Sequence, residues 1–143
     1  MSRFSPFLFL SLLLALVAPC LAQGPAQPVV ESYYKLAPGK AEEWLALYKK
    51  WHLPILQEHR KDGRILSITI YLPRLHTGAP PWDYKVILRY ASFAAMGEDA
   101  RTQEITRRLY PNEEDLRRNE RRRWEITERH WDDIMVELPA ETK

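Results

Sequence analysis

The sequence has 143 residues, with 21 lysines and arginines against 19 aspartates and glutamates. A charge so close to balance gives no global field for nucleic acid or an anionic membrane surface, and the length is that of one domain. A single cysteine, Cys20, excludes an internal disulfide framework.

The first 22 residues have the pattern of a cleavable secretory signal. Arg3 precedes an apolar run over residues 4–17, which is shorter than the roughly 20 residues that span a bilayer. The small residue Ala22 is the predicted cleavage point. A retained membrane anchor and a lipoprotein modified at Cys20 remain alternatives, although Pro19 fits poorly before a lipidated cysteine. We therefore expect a periplasmic or secreted protein with no membrane attachment after cleavage.

Cleavage would leave one domain with short ends. Residues 23–28 lack apolar periodicity and are predicted to be a flexible leader. Residues 29–139 form the predicted domain, and residues 140–143 a C-terminal tail.

The domain is predicted to begin with a strand and a long helix. Residues 29–36 alternate weakly and are rich in β-forming residues, which favours a strand. Residues 40–61 are predicted to be a helix, with Glu42 and Glu43 in its acidic first turn. Pro54 should kink this helix and deprive the carbonyl of Lys50 of its helical donor.

The rest of the chain supplies three more strands and a second helical region. Strands are predicted over residues 65–72, 84–90 and 131–138. Between the last two, a short turn starts at Ser92, a helix covers residues 99–109, and Asn112 caps a further helix with an acidic first turn.

The order β-α-β-β-α-β predicts an α+β, ferredoxin-like fold, in which a four-stranded antiparallel sheet carries its helices on one face. Nothing in this pattern covers the other sheet face. If strand alternation holds, that face includes Ile65, Tyr71 and Ile87. An apolar face of this kind predicts a homodimer that packs sheet against sheet.

Several local features resemble the dimeric α-β barrel superfamily over most of residues 29–138. They are the tyrosine-rich first strand, the helix from Ala41 to His59, the Asp62-Gly63-Arg64 turn, and Trp131 near the last strand. The resemblance implies the same fold and a homodimer. Members include antibiotic-biosynthesis-type monooxygenases, haem-degrading enzymes, polyketide cyclases and uncharacterised exported proteins, so it leaves the activity open.

The long helix places two histidines on its apolar side. At about 100° per residue, His52 and His59 fall in the same arc as Trp44 and Ile55. Imidazoles in such an arc either bond to core partners or border a pocket between helix and sheet. Their seven-residue separation, about 10 Å along the axis, argues against one shared metal ion. We therefore predict no metal and no cofactor.

Aromatic side chains could complete a pocket around these histidines. The candidate catalytic set is His52, His59 and Tyr34, with an imidazole as base and the phenol as hydrogen-bond donor. The polyketide cyclases of the resembling superfamily imply the same pairing. The candidate pocket walls are Trp51, Tyr48, Tyr84 and His130.

An arginine-rich run, residues 117–123, admits two interpretations. Glu113 lies four residues before Arg117 and Glu114 four before Arg118, the order that favours helical ion pairs. A solvated, charge-laced helix therefore explains the run better than a nucleic-acid surface does, and no nucleic-acid partner is predicted.

Two functional classes follow. The first is a dimeric, exported module that binds a small apolar or aromatic ligand or another protein. The second is a cofactor-free enzyme, cyclase-like or monooxygenase-like, that uses a histidine–tyrosine pair. The absence of a recognisable catalytic motif favours the first class.

Overall fold

A computed structural model describes residues 27–75, 79–97 and 99–137. The predicted signal sequence, leader residues 23–26 and the C-terminal tail lie outside these ranges. Within them, no helix combines the length and apolar character needed to cross a membrane.

Four strands and five helices make up the described chain, with one π-helical turn between the first two helices. In chain order they are β1 (Pro28–Leu36), α1 (Ala41–Leu47), the π turn (Tyr48–His52), α2 (Leu53–Lys61), β2 (Ile65–Tyr71), β3 (Tyr84–Tyr90), α3 (Phe93–Met96), α4 (Asp99–Leu109), α5 (Glu113–Glu125) and β4 (Thr127–Val136).

The strands form one antiparallel sheet in the order β2-β3-β1-β4. In this register Tyr34 lies between Tyr84 on β3 and His130 on β4. The α+β, ferredoxin-like fold expected from the sequence is confirmed.

The core lies between one face of the sheet and the helices. Trp44 at its centre is fully buried, and its indole N–H donates to the Thr127 hydroxyl over 3.1 Å. Strand side chains from β1 and β3 surround it, including Tyr34, Tyr84 and Val86. Helix α1 is therefore fixed against the middle of the sheet.

The expected placement of Ile65 on the open sheet face is wrong. Ile65 is 1% exposed and belongs to the core, because the β2–β3 register shifts between Ile65 and Ser67. This bulge leaves Leu66 unpaired and changes the phase of the strand. Thr69 and Tyr71 consequently share the open face with Ile87.

The last strand begins at Thr127, four residues before the predicted start. Helix α5 ends at Glu125, and the buried Ile126 leads directly into β4, where its carbonyl accepts from the Ala37 N–H over 3.0 Å. The segment between Ile126 and Trp131 is mostly polar and charged, so no apolar alternation marked it as a strand.

The predicted irregularity before Pro54 takes the form of the π turn. The Leu53 N–H donates to the Tyr48 carbonyl, a five-residue span, and Pro54 follows at once. The Lys50 carbonyl, which a proline at position 54 cannot serve, accepts from the Tyr110 hydroxyl over 2.8 Å. A tertiary hydrogen bond from Tyr110, directly after α4, thus replaces the hydrogen bond that a continuous helix would provide.

The π turn also rotates everything after it. A π turn contains about one residue more than an α-helical turn. The side chains of α2 are therefore rotated by roughly 100° from where an uninterrupted helix would place them. Leu56 is buried as a result, whereas Ile55, which an uninterrupted helix would aim at the core, is half-buried. His59 is buried as well.

Removing the Tyr110 hydroxyl should destabilise the protein. Tyr110→Phe is expected to lower the free energy of unfolding by about 1 kcal/mol, because the Lys50 carbonyl loses its donor. In a Pro54→Ala background the same change should cost less, because the new N–H at position 54 competes for that carbonyl. Denaturant melts of the four proteins test this, and equal losses in both backgrounds would contradict the assignment.

Candidate functional site

Both predicted histidines line one pocket. It holds about 150 Å³ between α2, the end of β3, α3 and α4. Its lining comprises His52, Ile55, Leu56, His59, Arg64, Tyr90, Met96 and Thr102. One side is apolar and the other carries imidazole, guanidinium, phenol and hydroxyl groups.

His59 is held at both ring nitrogens. Its Nδ1 lies 3.1 Å from Arg64 Nη1, and its Nε2 lies 2.9 Å from Thr102 Oγ1. Arginine can only donate, so Nδ1 accepts and the proton is assigned to Nε2, which donates to Thr102. Arg64 also donates from Nε and Nη2 to the Ala95 carbonyl, at 3.1 and 2.5 Å. His59, 6% exposed, is thus a fixed part of the wall.

His52 is placed differently, half-buried at the end of the π turn. Its ring packs against Tyr48, and its Nδ1 lies 4.0 Å from Glu120 Oε1, which is too far for a hydrogen bond. Among the described residues, His52 makes no hydrogen bond. Burial, with a smaller contribution from the Arg123 cation, lowers the pKa of His52 to about 4, although Glu120 opposes the shift. The imidazole is therefore neutral at neutral pH.

Behind His52 lies an ion pair in which the arginine is buried and the glutamate is partly exposed. Arg123 is 2% exposed, and its Nη2 donates to Glu120 Oε2 over 2.6 Å. The guanidinium lies over the rings of Trp124, Tyr48 and Trp44, with centroids 4.8, 5.7 and 5.9 Å away. Glu120 Oε1 and Arg123 Nε and Nη1 are buried without a partner among the described residues.

The prediction of a solvated arginine-rich helix is therefore wrong at Arg123. It holds elsewhere on α5, where Arg117 is exposed and bonds Glu113 over 2.9 Å as expected. Arg118 pairs with Asp115 in place of Glu114. Arg123 differs because it lies on the side of α5 that packs on α1 and the π turn.

Tyr34 lies in a second cluster, on the strands. Its ring stacks on His130 at 4.5 Å and touches Trp44 at 4.5 Å, while Tyr48 separates it from His52. Burial raises the pKa of Tyr34 to about 12, against smaller lowering effects of Arg123 and the Ser32 hydroxyl. The phenol is thus protonated, but its imidazole neighbour is His130.

His130 is positioned by strand pairing. Its Nδ1 donates to the Tyr33 carbonyl over 2.9 Å, and its Nε2 lies 3.4 Å from Asp132 Oδ2. Asp132 in turn accepts from the Ser32 hydroxyl over 2.5 Å. The remaining predicted wall residues also lie outside the pocket lining: Tyr84 stacks on Trp44 and Trp51 packs on Tyr110.

Sequence reasoning missed several groups at this site. Arg64, Met96 and Thr102 reach the pocket from three separate segments, and Glu120 and Arg123 lie in a run that has the composition of a surface. A helical wheel of α5 would have placed Arg123 beside Glu120, but nothing in it marks one arginine of the run as buried. No group of three or more potential metal ligands occurs within the described residues.

The opposite sheet face forms a broad groove of about 370 Å³. It is lined by Val29, Glu31, Ser67, Thr69, Tyr71, Ile87, Arg89, Met135, Val136 and Glu137. Nearby, Lys85 Nζ lies 3.3 Å from Glu31 and within 6 Å of the rings of Tyr33, Tyr71 and Trp82. This face mixes exposed apolar groups with paired charges.

No family model matches the chain, and no curated protein does. Solved structures share its fold. A dimeric ferredoxin-like protein from an uncultured marine organism aligns with a TM-score of 0.55 at 9% identity, over 83% of this chain and 93% of its own. A NIPSNAP family protein from Agrobacterium tumefaciens aligns with a TM-score of 0.52 at 17% identity, over 80% and 94%. These neighbours have the ferredoxin-like fold expected from the sequence, and at such identities they show the fold alone.

The lowered pKa of His52 predicts a specific pH dependence of stability. The unfolded chain protonates His52 below about pH 6.5, whereas the folded chain resists protonation down to about pH 4. The free energy of unfolding therefore does not depend on His52 titration above about pH 6.5, and it decreases as the pH falls toward 4. Wild type should lose more stability across this window than His52→Gln does, in urea melts at constant ionic strength. Parallel curves would show that His52 titrates normally in the fold.

Proposed function

We propose that the chain is a homodimeric, exported domain that binds a small, largely apolar ligand in the pocket beside His52. The observation that carries this is the state of that pocket. His59, Arg64 and Thr102 are bonded to one another or to the backbone, whereas the His52 ring and the Tyr90 hydroxyl have no protein partner among the described residues. Two unused polar groups beside apolar side chains are what a specific small-ligand site requires.

The size and chemistry of the pocket restrict the ligand. A volume of about 150 Å³ admits a molecule of one ring or less. Ile55, Leu56 and Met96 supply contact area, and Met96 can adapt its shape. Burial raises the pKa of Tyr90, so its phenol stays a hydrogen-bond donor.

A second candidate is base catalysis by His52 with Tyr90, in the class of cofactor-free enzymes. Both groups line the same pocket, which favours the idea. Against it, a pKa of about 4 makes His52 a weak base near neutral pH, where an efficient general base titrates close to the working pH. Binding is therefore the better-supported function.

The homodimer rests on the open sheet face. Tyr71, Met135 and Val136 are exposed there, and the neighbour from an uncultured marine organism is described as a dimeric ferredoxin-like protein. Packing two such faces together would bury an area of the order of 1,600 Å², typical of a specific pair.

Export is proposed from the signal pattern of residues 1–22. Intact-mass analysis of protein from its native compartment should find Gln23 as the first residue. A chain that begins at Met1, or one with a lipid on Cys20, would contradict it.

A charge at the centre of the open face should dissociate the dimer. Ile87→Asp is expected to give a monomer, because two carboxylates would be buried across the two-fold interface. Phe93→Asp, at an equally apolar but 52% exposed position on α3, should remain dimeric. Sedimentation equilibrium at micromolar concentration decides the matter. A monomeric wild type would rule out the proposal.

Replacing each histidine with alanine should distinguish a ligand-binding residue from a structural one. His59→Ala should lower the free energy of unfolding by roughly 1 to 3 kcal/mol, because Arg64 and Thr102 lose a buried partner. His52→Ala should cost less and should abolish binding of small aromatic compounds that wild type binds. Denaturant melts and ligand-observed NMR measure the two effects. Large stability losses in both variants, with no ligand found for wild type, would leave both histidines purely structural.

A further inference from the structure

One buried oxygen of a partly exposed carboxylate lacks a donor next to the candidate pocket. Glu120 Oε2 is bonded to Arg123, whereas Oε1 is buried with no partner among the described residues. Buried carboxylate oxygens are almost always hydrogen-bonded. The His52 Nδ1 lies 4.0 Å from this oxygen.

Closing that gap requires His52 to move, because Glu120 is fixed. Its partner Arg123 is wedged against Trp44, Tyr48 and Trp124. His52 is half-buried at the end of the π turn, and a ring shift of about 1 Å would bring Nδ1 within hydrogen-bond distance.

The carboxylate also decides which ring nitrogen carries the proton. A neutral imidazole has one N–H, and an acceptor beside Nδ1 holds the proton there. Nε2, on the far side of the ring, is then left as an acceptor.

We propose that Glu120 is a positioning residue that holds His52 in the Nδ1–H tautomer, so that the pocket selects small ligands with a hydroxyl donor, such as phenols. This rests on the proposed function of the pocket. The His52 Nε2 accepts from the ligand hydroxyl, and the Tyr90 hydroxyl donates to the ligand oxygen. Hydrocarbons of the same shape leave both polar groups unpaired, which is the usual basis of discrimination.

The first experiment reads the tautomer without any ligand. Nitrogen-15 NMR of the histidine rings should show His52 as Nδ1–H in wild type. In Glu120→Gln the tautomer should reverse: the amide oxygen must face Arg123, which only donates, so its NH₂ faces Nδ1 and makes it an acceptor. Glu113→Gln, an exposed position on the same helix, should leave His52 unchanged. A wild-type ring in the Nε2–H form, or one indifferent to Glu120→Gln, overturns the proposal.

The second experiment measures binding of two probes, phenol and toluene. Wild type and Glu113→Gln should bind phenol about tenfold more tightly than toluene, the weight of one well-made hydrogen bond. Glu120→Gln should weaken this preference, because the His52 Nε2 no longer accepts from the phenol hydroxyl while the Tyr90 hydroxyl can still donate, and it should keep its affinity for toluene. Equal affinities in wild type overturn the hydroxyl preference. If the tautomers behave as expected but neither probe binds, the proposed binding function fails while the positioning by Glu120 stands.

Discussion

Arg123 carries its positive charge inside the protein, where its guanidinium meets one carboxylate oxygen of Glu120 and the faces of three aromatic rings. Desolvating such a group is costly, and the pair is tolerable only while both members are present. The same rings belong to α1, the π turn and α5, so the cation joins these elements. The place of α5 against α1 and the π turn depends on this contact.

The π turn positions the two histidines of the pocket. Its extra residue rotates α2 so that His59 faces Arg64 and Thr102, and its last residue, His52, is left at the boundary between the pocket and Glu120. An uninterrupted helix would have aimed Ile55 at the core and both histidines along one line. The two imidazoles therefore differ: His59, on α2, contacts hydrogen-bonding partners at both ring nitrogens, whereas His52, at the end of the π turn, makes no hydrogen bond within the described part of the chain.

Local signals in the sequence account for most of the fold. Apolar alternation locates β1 and β3, Ser92 and Asn112 accept from backbone N–H groups as helix caps, and Gly63, with φ of 75°, ends α2 where only glycine is comfortable. The bulge after Ile65 could not be predicted from the sequence. Apolar residues occur at both odd and even positions of this strand, so alternation does not show which side chains face the core: Ile65, Leu66, Ile68 and Ile70. Only part of the candidate site could be predicted from the sequence. Helix periodicity marked His52 and His59, but their partners come from distant segments, and Arg123 is chemically identical to its solvated neighbours.

The free energy of unfolding of Arg123→Met tests most directly whether the Glu120–Arg123 pair holds the helical layer together. Methionine keeps much of the packing volume but leaves the Glu120 carboxylate, one oxygen of which is buried, without its charged partner. The account predicts a loss of about 3 to 5 kcal/mol, against less than about 0.5 kcal/mol for Arg121→Met at an exposed position two residues earlier. Equal stability of the two variants would contradict it.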